Sequence, residues 1–485
     1  MDKTLEERVD AYIDMVWDQV LADIAELVGC PSVADTSLAE PAAPFGPDVR
    51  RALDCALGIA RRLGYDTADD EGYLGWGDIA GERPEQVATI AHVDVVPAGP
   101  GWSTDPFAME RREGWLLGRG VIDDKGPAVL SLYAGAFFLH EGITPRYSFR
   151  ALLGCDEEAG MSDVKHYLAG HEGPAFLFTP DASFPVCNAE KGCFGGSFVS
   201  GPITDGVIRS WSGAEATNAV PSESVLVVGV DASALPAPRM NADRLTIESA
   251  APGEARILAR GIGGHASLPE GTLNAIGLIV SYLGEIRELL APAERDYLAL
   301  LELVHADTAG EAVGIACSST AFGALTLNAG TIAVRPDGRI EQTIDVRFPD
   351  ATTTGAMEAT LTQLASRFGA SFVLGRSKDP FSVDAGHPAV QALLDVYREV
   401  TGREAEPFSM GGGTYARNFA RAVSFGPEDE ELEAMRIGLS EDEELQLPAW
   451  AGSMHGPNEA ASEEALKEAL KIYILALVRL MGLEL

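Results

Sequence analysis

Three short apolar runs in this chain break off in carboxylates, and no other feature constrains the fold as much. VATIAHVDVV (87–96) carries Asp94, FRALLGCDEE (149–158) stops in Asp156, Glu157 and Glu158, and FLFTPDA (176–182) reaches Asp181. Residues 126–140, between the first two runs, read as a helix. Strands of this texture alternating with helices predict an α/β domain with a mainly parallel, covered sheet. Ligands of such sheets bind beyond the carboxyl ends of the strands, so the acids stand where chemistry is expected. Like charges packed together raise one another's pKa and cost stability, and no cation stands near the DEE knot in sequence. Either water bathes it or a metal compensates it.

The apolar spacing of residues 4–28 predicts an amphipathic helix, and a second covers about 47–63. From about 187 the texture changes to short β-rich runs such as SVLVVGVD, RLTIES and IEQTIDVRF, with one good helix at 272–289. The α/β texture returns near 385, with helices at 387–401 and about 462–481. The predicted organisation is a catalytic domain in two parts, 1–186 and 385–485, interrupted by an inserted α+β lid domain, 187–384.

With 485 residues the chain is expected to form two or three domains. Its net charge of −37, from 36 basic and 73 acidic side chains, excludes nucleic acid and anionic membranes as partners, since both need basic patches. The N-terminal MDKTLEERVD lacks the apolar core of a signal peptide, and no apolar run approaches the length of a bilayer span. A cytoplasmic location is expected. The six cysteines show no CxxC spacing and are expected to be free, buried and small.

Five stretches carry the candidate chemistry. HVDVVPAGPGW places His92 and Asp94 two apart on a strand end, on one face, so that Asp94 can take the second imidazole N–H and orient His92 as a ligand. GRGVIDDKG offers Asp123 and Asp124 just before a helix. The DEE knot, Asp181 in TPDA, and His455 in MHGPNEA complete the set. Two histidines and a surplus of carboxylates suit zinc, cobalt or manganese better than calcium or copper. Five ligands are too many for one catalytic zinc with an open position. They fit two cations sharing a bridging carboxylate, roughly 3.5–4 Å apart. One glutamate of the knot can then ligate while its neighbour acts as general base.

In order and spacing these stretches resemble the M20 family of co-catalytic metallopeptidases, and within it the PepV-like and Sapep-type dipeptidases. HVDVVPAGPGWSTDPF, GRGVIDDKGP, TPDASFPVCNAEKG and MGGGTYARNF carry the resemblance, which covers essentially the whole chain. It implies a metal-dependent dipeptidase with two divalent cations per chain, zinc first, with manganese or cobalt as alternatives. By motif, His92 and Asp181 hold one cation, Glu158 and His455 the other, and Asp123 bridges them, with Asp124 as the alternative bridge. Glu157 is the implied general base, and Asp94 the carboxylate behind the ligands that orients His92. The lid is implied to supply His265 of GIGGHASLP to the oxyanion. By the same resemblance, Asn218, Arg347 and the Gly411–Gly412–Gly413 loop are implied to grip the carboxylate of a small peptide substrate.

The residues alone read Arg347 as a salt bridge at a strand edge. The insertion, about 200 residues, resembles a lid long enough to supply its own histidine, which implies an active monomer. An M20-type deacylase or desuccinylase acting on N-acyl amino acids shares these motifs and is the alternative. The acidic stretch 428–444 is read as a solvated loop, or as a rim favouring cationic substrates.

Overall fold

The computed structural model describes residues 3–214, 216–266, 269–428, 448 and 450–485, and of His265 the backbone alone. The chain divides into two compact units. Met1–Asn188, Ser382–Phe408 and Gly413–Leu485 make the first; Ala189–Phe381 and Ser409–Gly412 make the second.

In the first unit the sheet runs in the order Asp66–Asp70, Leu74–Ile79, Tyr147–Gly154, Arg83–His92, Phe176–Thr179 and Ala422–Ser424. The last four strands in that order are mutually parallel, and the first two join antiparallel. The expected parallel core is therefore present, with an antiparallel flank. Register aligns the strand ends: His92 pairs with Gly154, Thr89 with Phe178, and Thr179 with Ser424. The segments that follow these four strands consequently emerge along one edge of the sheet.

Helices cover this sheet for local reasons. Helix Leu5–Val28 opens on a capping box, with Thr4 and Glu7 each satisfying the other's backbone N–H. Helix Pro47–Leu63 has proline in its first turn and ends on Gly64 at φ 96°. Helix Lys125–Glu141 is buried along nearly its whole length, as expected of a helix apolar on all sides. The closing helix, Glu463–Met481, is capped by Ser462 and packs on it.

The second unit is built on an eight-stranded sheet, antiparallel throughout, in the order Leu245–Ala251, Glu254–Arg260, Glu223–Val228, Ile208–Gly213, Thr326–Val334, Ile340–Phe348, Gly192–Val199 and Ser371–Lys378. Its core gathers the inward faces of these strands with Ile276, Ile279, Leu283, Leu298, Leu301, Met357 and Leu361. The single expected helix at 272–289 is shorter, Ala275–Glu285. Two further helices, Pro292–Val304 and Thr354–Arg367, join it.

Candidate metal centre

Each parallel strand of the first unit delivers acid or imidazole at its carboxyl end. His92 is the last residue of its strand, Cys155–Glu158 follow Gly154, and Asp181 lies two residues beyond Thr179. Asp123 comes from the loop before the buried helix, and His455 from the loop before Ala460–Ser462.

Asp123 is the geometric centre of the group. Its Oδ1 lies 3.0 Å from His92 Nε2, and its Oδ2 lies 2.8 Å from His455 Nε2. Asp181 Oδ1 is 3.8 Å from His92 Nε2, and Glu158 Oε2 is 3.2 Å from His455 Nε2. The side chains thus form two donor sets, His92–Asp123–Asp181 and Asp123–Glu158–His455, sharing one carboxylate through its two different oxygens.

Two observations test whether these residues fit cations. His92 is fully buried, yet its Nε2 has no hydrogen-bond partner, the nearby Asp123 oxygen lacking hydrogen-bond geometry. Glu158 Oε1 is likewise buried and unpaired. Unpaired buried polar atoms are costly, and here they converge with carboxylates in an N/O donor set of the kind that divalent zinc, manganese or cobalt accepts. The residues fit.

The electrostatics agree. Against the cost of burial, the nearby His455 and His92 imidazoles hold the Asp123 carboxyl well below the ordinary range. The same contacts, with Glu158, push His455 up to about 11. Burial first, then Asp181, pushes Glu157 well above the usual glutamate value. Burial and Asp123 raise Glu158. Protein groups alone leave this pocket with more negative charge than its two imidazoles comfortably balance.

The DEE knot separates by hydrogen bonding. Asp156 turns away and caps helix Ser162–Gly170, accepting from Ser162 N at 2.8 Å and Ser162 Oγ at 2.6 Å. Glu158 enters a donor set, and Glu157 remains beside it. Asp163 holds the start of the knot, accepting from Cys155 N at 2.6 Å and Asp156 N at 3.1 Å, and Tyr415 donates to the same oxygen. Gly154 is needed where it stands, since a Cβ there would meet the Tyr415 hydroxyl at 2.1 Å.

Asp94 behaves differently from the expectation. His92 Nδ1 is 2.9 Å from the Asp94 backbone oxygen, while the Asp94 carboxylate is 3.5 Å away. That carboxylate instead accepts the backbone N–H of Glu157 at 3.3 Å and of Glu158 at 3.1 Å. The imidazole is oriented by a main-chain carbonyl, leaving the side chain to fix the glutamate pair. Asp124, the alternative bridge, is fully buried and accepts from His92 N at 3.1 Å. It stands behind the ligands, outside both donor sets.

The remaining candidates lie in the second unit, Gly413 excepted. His265 pairs through its backbone with Ala219, and its side chain lies outside the described residues. Asn218 accepts from Ala266 N through its carbonyl at 2.8 Å. Arg347 is buried and ion-paired with Asp345 two residues away on its own strand, Nε to Oδ1 at 2.7 Å. It also donates to the Gly411 carbonyl at 2.8 Å, so the strand salt bridge and the glycine loop share one guanidinium. Of the acidic stretch 428–444, all but Glu428 lies outside the described residues.

Of two further residues, Glu428 falls in the stretch read as a solvated loop, and Glu459 escaped the sequence reading. Glu428 is pushed well above the usual glutamate range, by burial and then by the neighbouring Asp181, Asp123 and Asp124. Its signal was present: AVSFGPE has the texture of FLFTPD, and Ala422–Ser424 is the fourth parallel strand. Glu459, fully buried, binds Arg119 and three backbone N–H groups of the Asp123 loop. No helix among the described residues is long and apolar enough to cross a membrane.

The chain is similar to known proteins along most of its length. Residues 88–479 match the model of peptidase family M20/M25/M40. A Bacillus subtilis protein named "Putative dipeptidase YtjP" is 32% identical over 425 residues, 84% of this chain and 90% of that protein. The Beta-Ala-Xaa dipeptidase of Lactobacillus delbrueckii subsp. lactis is 30% identical over 432 residues, 85% of this chain and 89% of its own. In fold, the chain is similar to human carnosine dipeptidase 1, with a TM-score of 0.56 at 16% identity, over 99% of this chain and 100% of that one. By its sequence match and the fold that goes with it, the chain belongs to peptidase family M20/M25/M40.

Proposed function

We propose that the chain is a metal-dependent dipeptidase that hydrolyses short peptides with two divalent cations, zinc first and manganese or cobalt as alternatives. The observation that carries this reading is Asp123, whose two oxygens face two different donor sets. The names of the Bacillus subtilis and Lactobacillus delbrueckii relatives support the dipeptide substrate.

On this reading His92 and Asp181 hold one cation, Glu158 and His455 the other, and Asp123 bridges. The bound cations supply Lewis acidity, lowering the pKa of water and polarising the scissile carbonyl. Glu157 takes the proton of the attacking water and returns it to the leaving amine. Asp94 keeps Glu157 beside Glu158 by binding both backbone N–H groups. His265 is assigned to the oxyanion. Asn218, Arg347 and the Gly411–Gly413 loop are assigned to the substrate's free carboxylate, with Arg347 aimed by Asp345. The insertion, 187–384, serves as a lid on the catalytic parts 1–186 and 385–485. The chain acts as a monomer in the cytoplasm.

The test is metal content of the purified protein, coupled to hydrolysis of a dipeptide panel and of N-acetyl and N-succinyl amino acids with Zn2+, Mn2+ or Co2+ restored. Two cations per chain and dipeptide cleavage are expected. Cleavage of N-acyl amino acids alone would move the substrate to the deacylase alternative. Failure to bind any divalent cation would overturn the reading.

A further inference from the structure

Within the second unit, the backbone stretches that carry Asn218 and His265 are joined to each other. Ala219–Val220 and Gly264–His265 form a two-stranded antiparallel ladder of their own, with Ala219 opposite His265 and Val220 opposite Gly264. The Asn218 carbonyl extends this ladder by accepting from Ala266 N at 2.8 Å. A two-stranded ladder is at best marginally stable alone, so its place depends on what fixes it to the larger sheet.

Three contacts along residues 217–221 do so. Asn328, buried in strand Thr326–Val334, donates from Nδ2 to the Ala219 carbonyl at 3.0 Å. Two residues on, Gly330 lets Thr217 lie against the same strand, since a Cβ there would meet the Thr217 carbonyl oxygen at 2.4 Å. The Pro221 carbonyl accepts from Ala275 N at 2.9 Å, at the start of a helix capped by Asn274. Asn274 in turn donates to the Ala329 carbonyl at 2.7 Å. Strand Thr326–Val334 is bulged at this point: Ala329 pairs with Ile344 but Ile332 with Gln342, which leaves one extra residue between them. Thr331, inside the bulge, donates its N–H to Thr343 Oγ1 at 2.8 Å.

The same face of the sheet carries Arg347. Asn328 stands directly opposite Asp345, and Thr326 opposite Arg347. Residues opposite one another, like residues two apart along a strand, share a face. The amide that holds Ala219 therefore lies beside the Asp345–Arg347 ion pair.

We propose that Asn328 is a positioning residue for the reaction, setting the places of Asn218 and His265 by holding the Ala219 carbonyl. The inference rests on the roles assigned to those two residues above. Ala219 follows Asn218 directly and lies across the ladder from His265, so a shift at Ala219 moves both. A displacement of about 1 Å in groups that handle substrate can cost about 10²-fold in rate.

The experiment is a double-mutant cycle on full-length, metal-loaded protein, read by kcat and KM on the substrate panel. Asn328→Leu removes the donor at similar volume and adds no charge opposite Asp345. Gly330→Ala displaces the same segment from a second point, and carries the test should Asn328→Leu fail to fold. Each is combined with His265→Ala, which alone should lower kcat about 10²–10³-fold. Either substitution should lower kcat about tenfold in the parent, and by less than about twofold once His265 is gone. KM should rise in both backgrounds, through Asn218. Urea midpoints should fall equally with and without His265, which separates positioning from stability. An unchanged kcat in the parent background, or the same loss with and without His265, would overturn the proposal. Absence of turnover by the parent protein on every substrate of the panel would overturn the dipeptidase reading, and this inference with it.

Discussion

Arg119 Nη1 lies 2.5 Å from Glu459 Oε2, and both side chains are buried. The other Glu459 oxygen accepts the backbone N–H groups of Gly120, Ile122 and Asp123 at 2.9, 3.2 and 3.3 Å. Arg119 Nη2 donates to the Gly456 carbonyl at 3.2 Å. This one ion pair joins the loop that presents Asp123 to the loop that presents His455.

Removing one partner of such a pair leaves a buried charge uncompensated, at a cost of about 3–5 kcal/mol. Glu459→Ala should lose stability on that scale and weaken metal binding together. Glu459→Gln keeps an acceptor for the three N–H groups and should lose less. Urea unfolding and Zn2+ titration of the two variants check both statements.

Glu157→Gln should separate chemistry from binding. The amide cannot take a proton from water, and general-base help is worth about 10²–10⁴-fold. Since Glu157 belongs to neither donor set, kcat should fall by that factor with metal content unchanged. Parallel loss of the metals would place Glu157 among the ligands instead.

Asp94→Asn tests the finding that the Asp94 carboxylate positions the glutamate pair. A carboxylate can accept both N–H groups, whereas an asparagine side chain offers one oxygen and turns an NH2 toward a donor. Metal affinity should fall about 10–100-fold, the range for lost support behind ligands. The His92 ring should keep its orientation, because the Asp94 backbone carbonyl survives the substitution. NMR of the His92 Nδ1 proton before and after substitution checks the second half.

What was legible in the sequence followed from strand ends. His92, Glu158 and Asp181 each stand at or just beyond an apolar run, and the parallel sheet brings such ends to one edge whatever the intervening chain does. Glu459 was illegible because its role depends on Arg119, 340 residues away, and nothing local distinguishes it from a surface acid. The Asp94 exchange of roles is invisible for a related reason: spacing places a carboxylate near an imidazole, but the neighbouring backbone decides which oxygen arrives first. Helix Thr354–Arg367 was missed because few of its residues are apolar. It buries Met357, Leu361, Leu364 and Ala365 on one side, a stripe too sparse to read without the sheet it packs on.

Glu428→Gln tests whether the fourth strand end contributes to the centre. Burial and the neighbouring Asp181 raise the proton affinity of Glu428, and two carboxyls so placed need either a proton or a cation between them. The glutamine can donate to Asp181 permanently and so competes with a cation for that oxygen. On the two-cation reading, one cation should bind about tenfold more weakly, read by Zn2+ titration, while the other keeps its affinity.

The second unit should show its own acid sensitivity, through His305. Burial lowers this imidazole to about 4, although its Nε2 lies 3.4 Å from the Gln342 amide oxygen. Above its ordinary value of 6.5 the residue is neutral whether the chain is folded or unfolded, and it adds no pH dependence. As pH falls below 6.5 the unfolded chain takes up a proton that the folded chain refuses until about 4. Stability is therefore present above 6.5 and lost on the way down to about 4, by at most about 3 kcal/mol. His305→Gln cannot protonate and can keep a hydrogen bond to Gln342, so its urea midpoint should fall less between pH 7 and pH 5 than that of the parent. Equal falls in the two proteins would show that His305 is already exposed to solvent protons in the folded state.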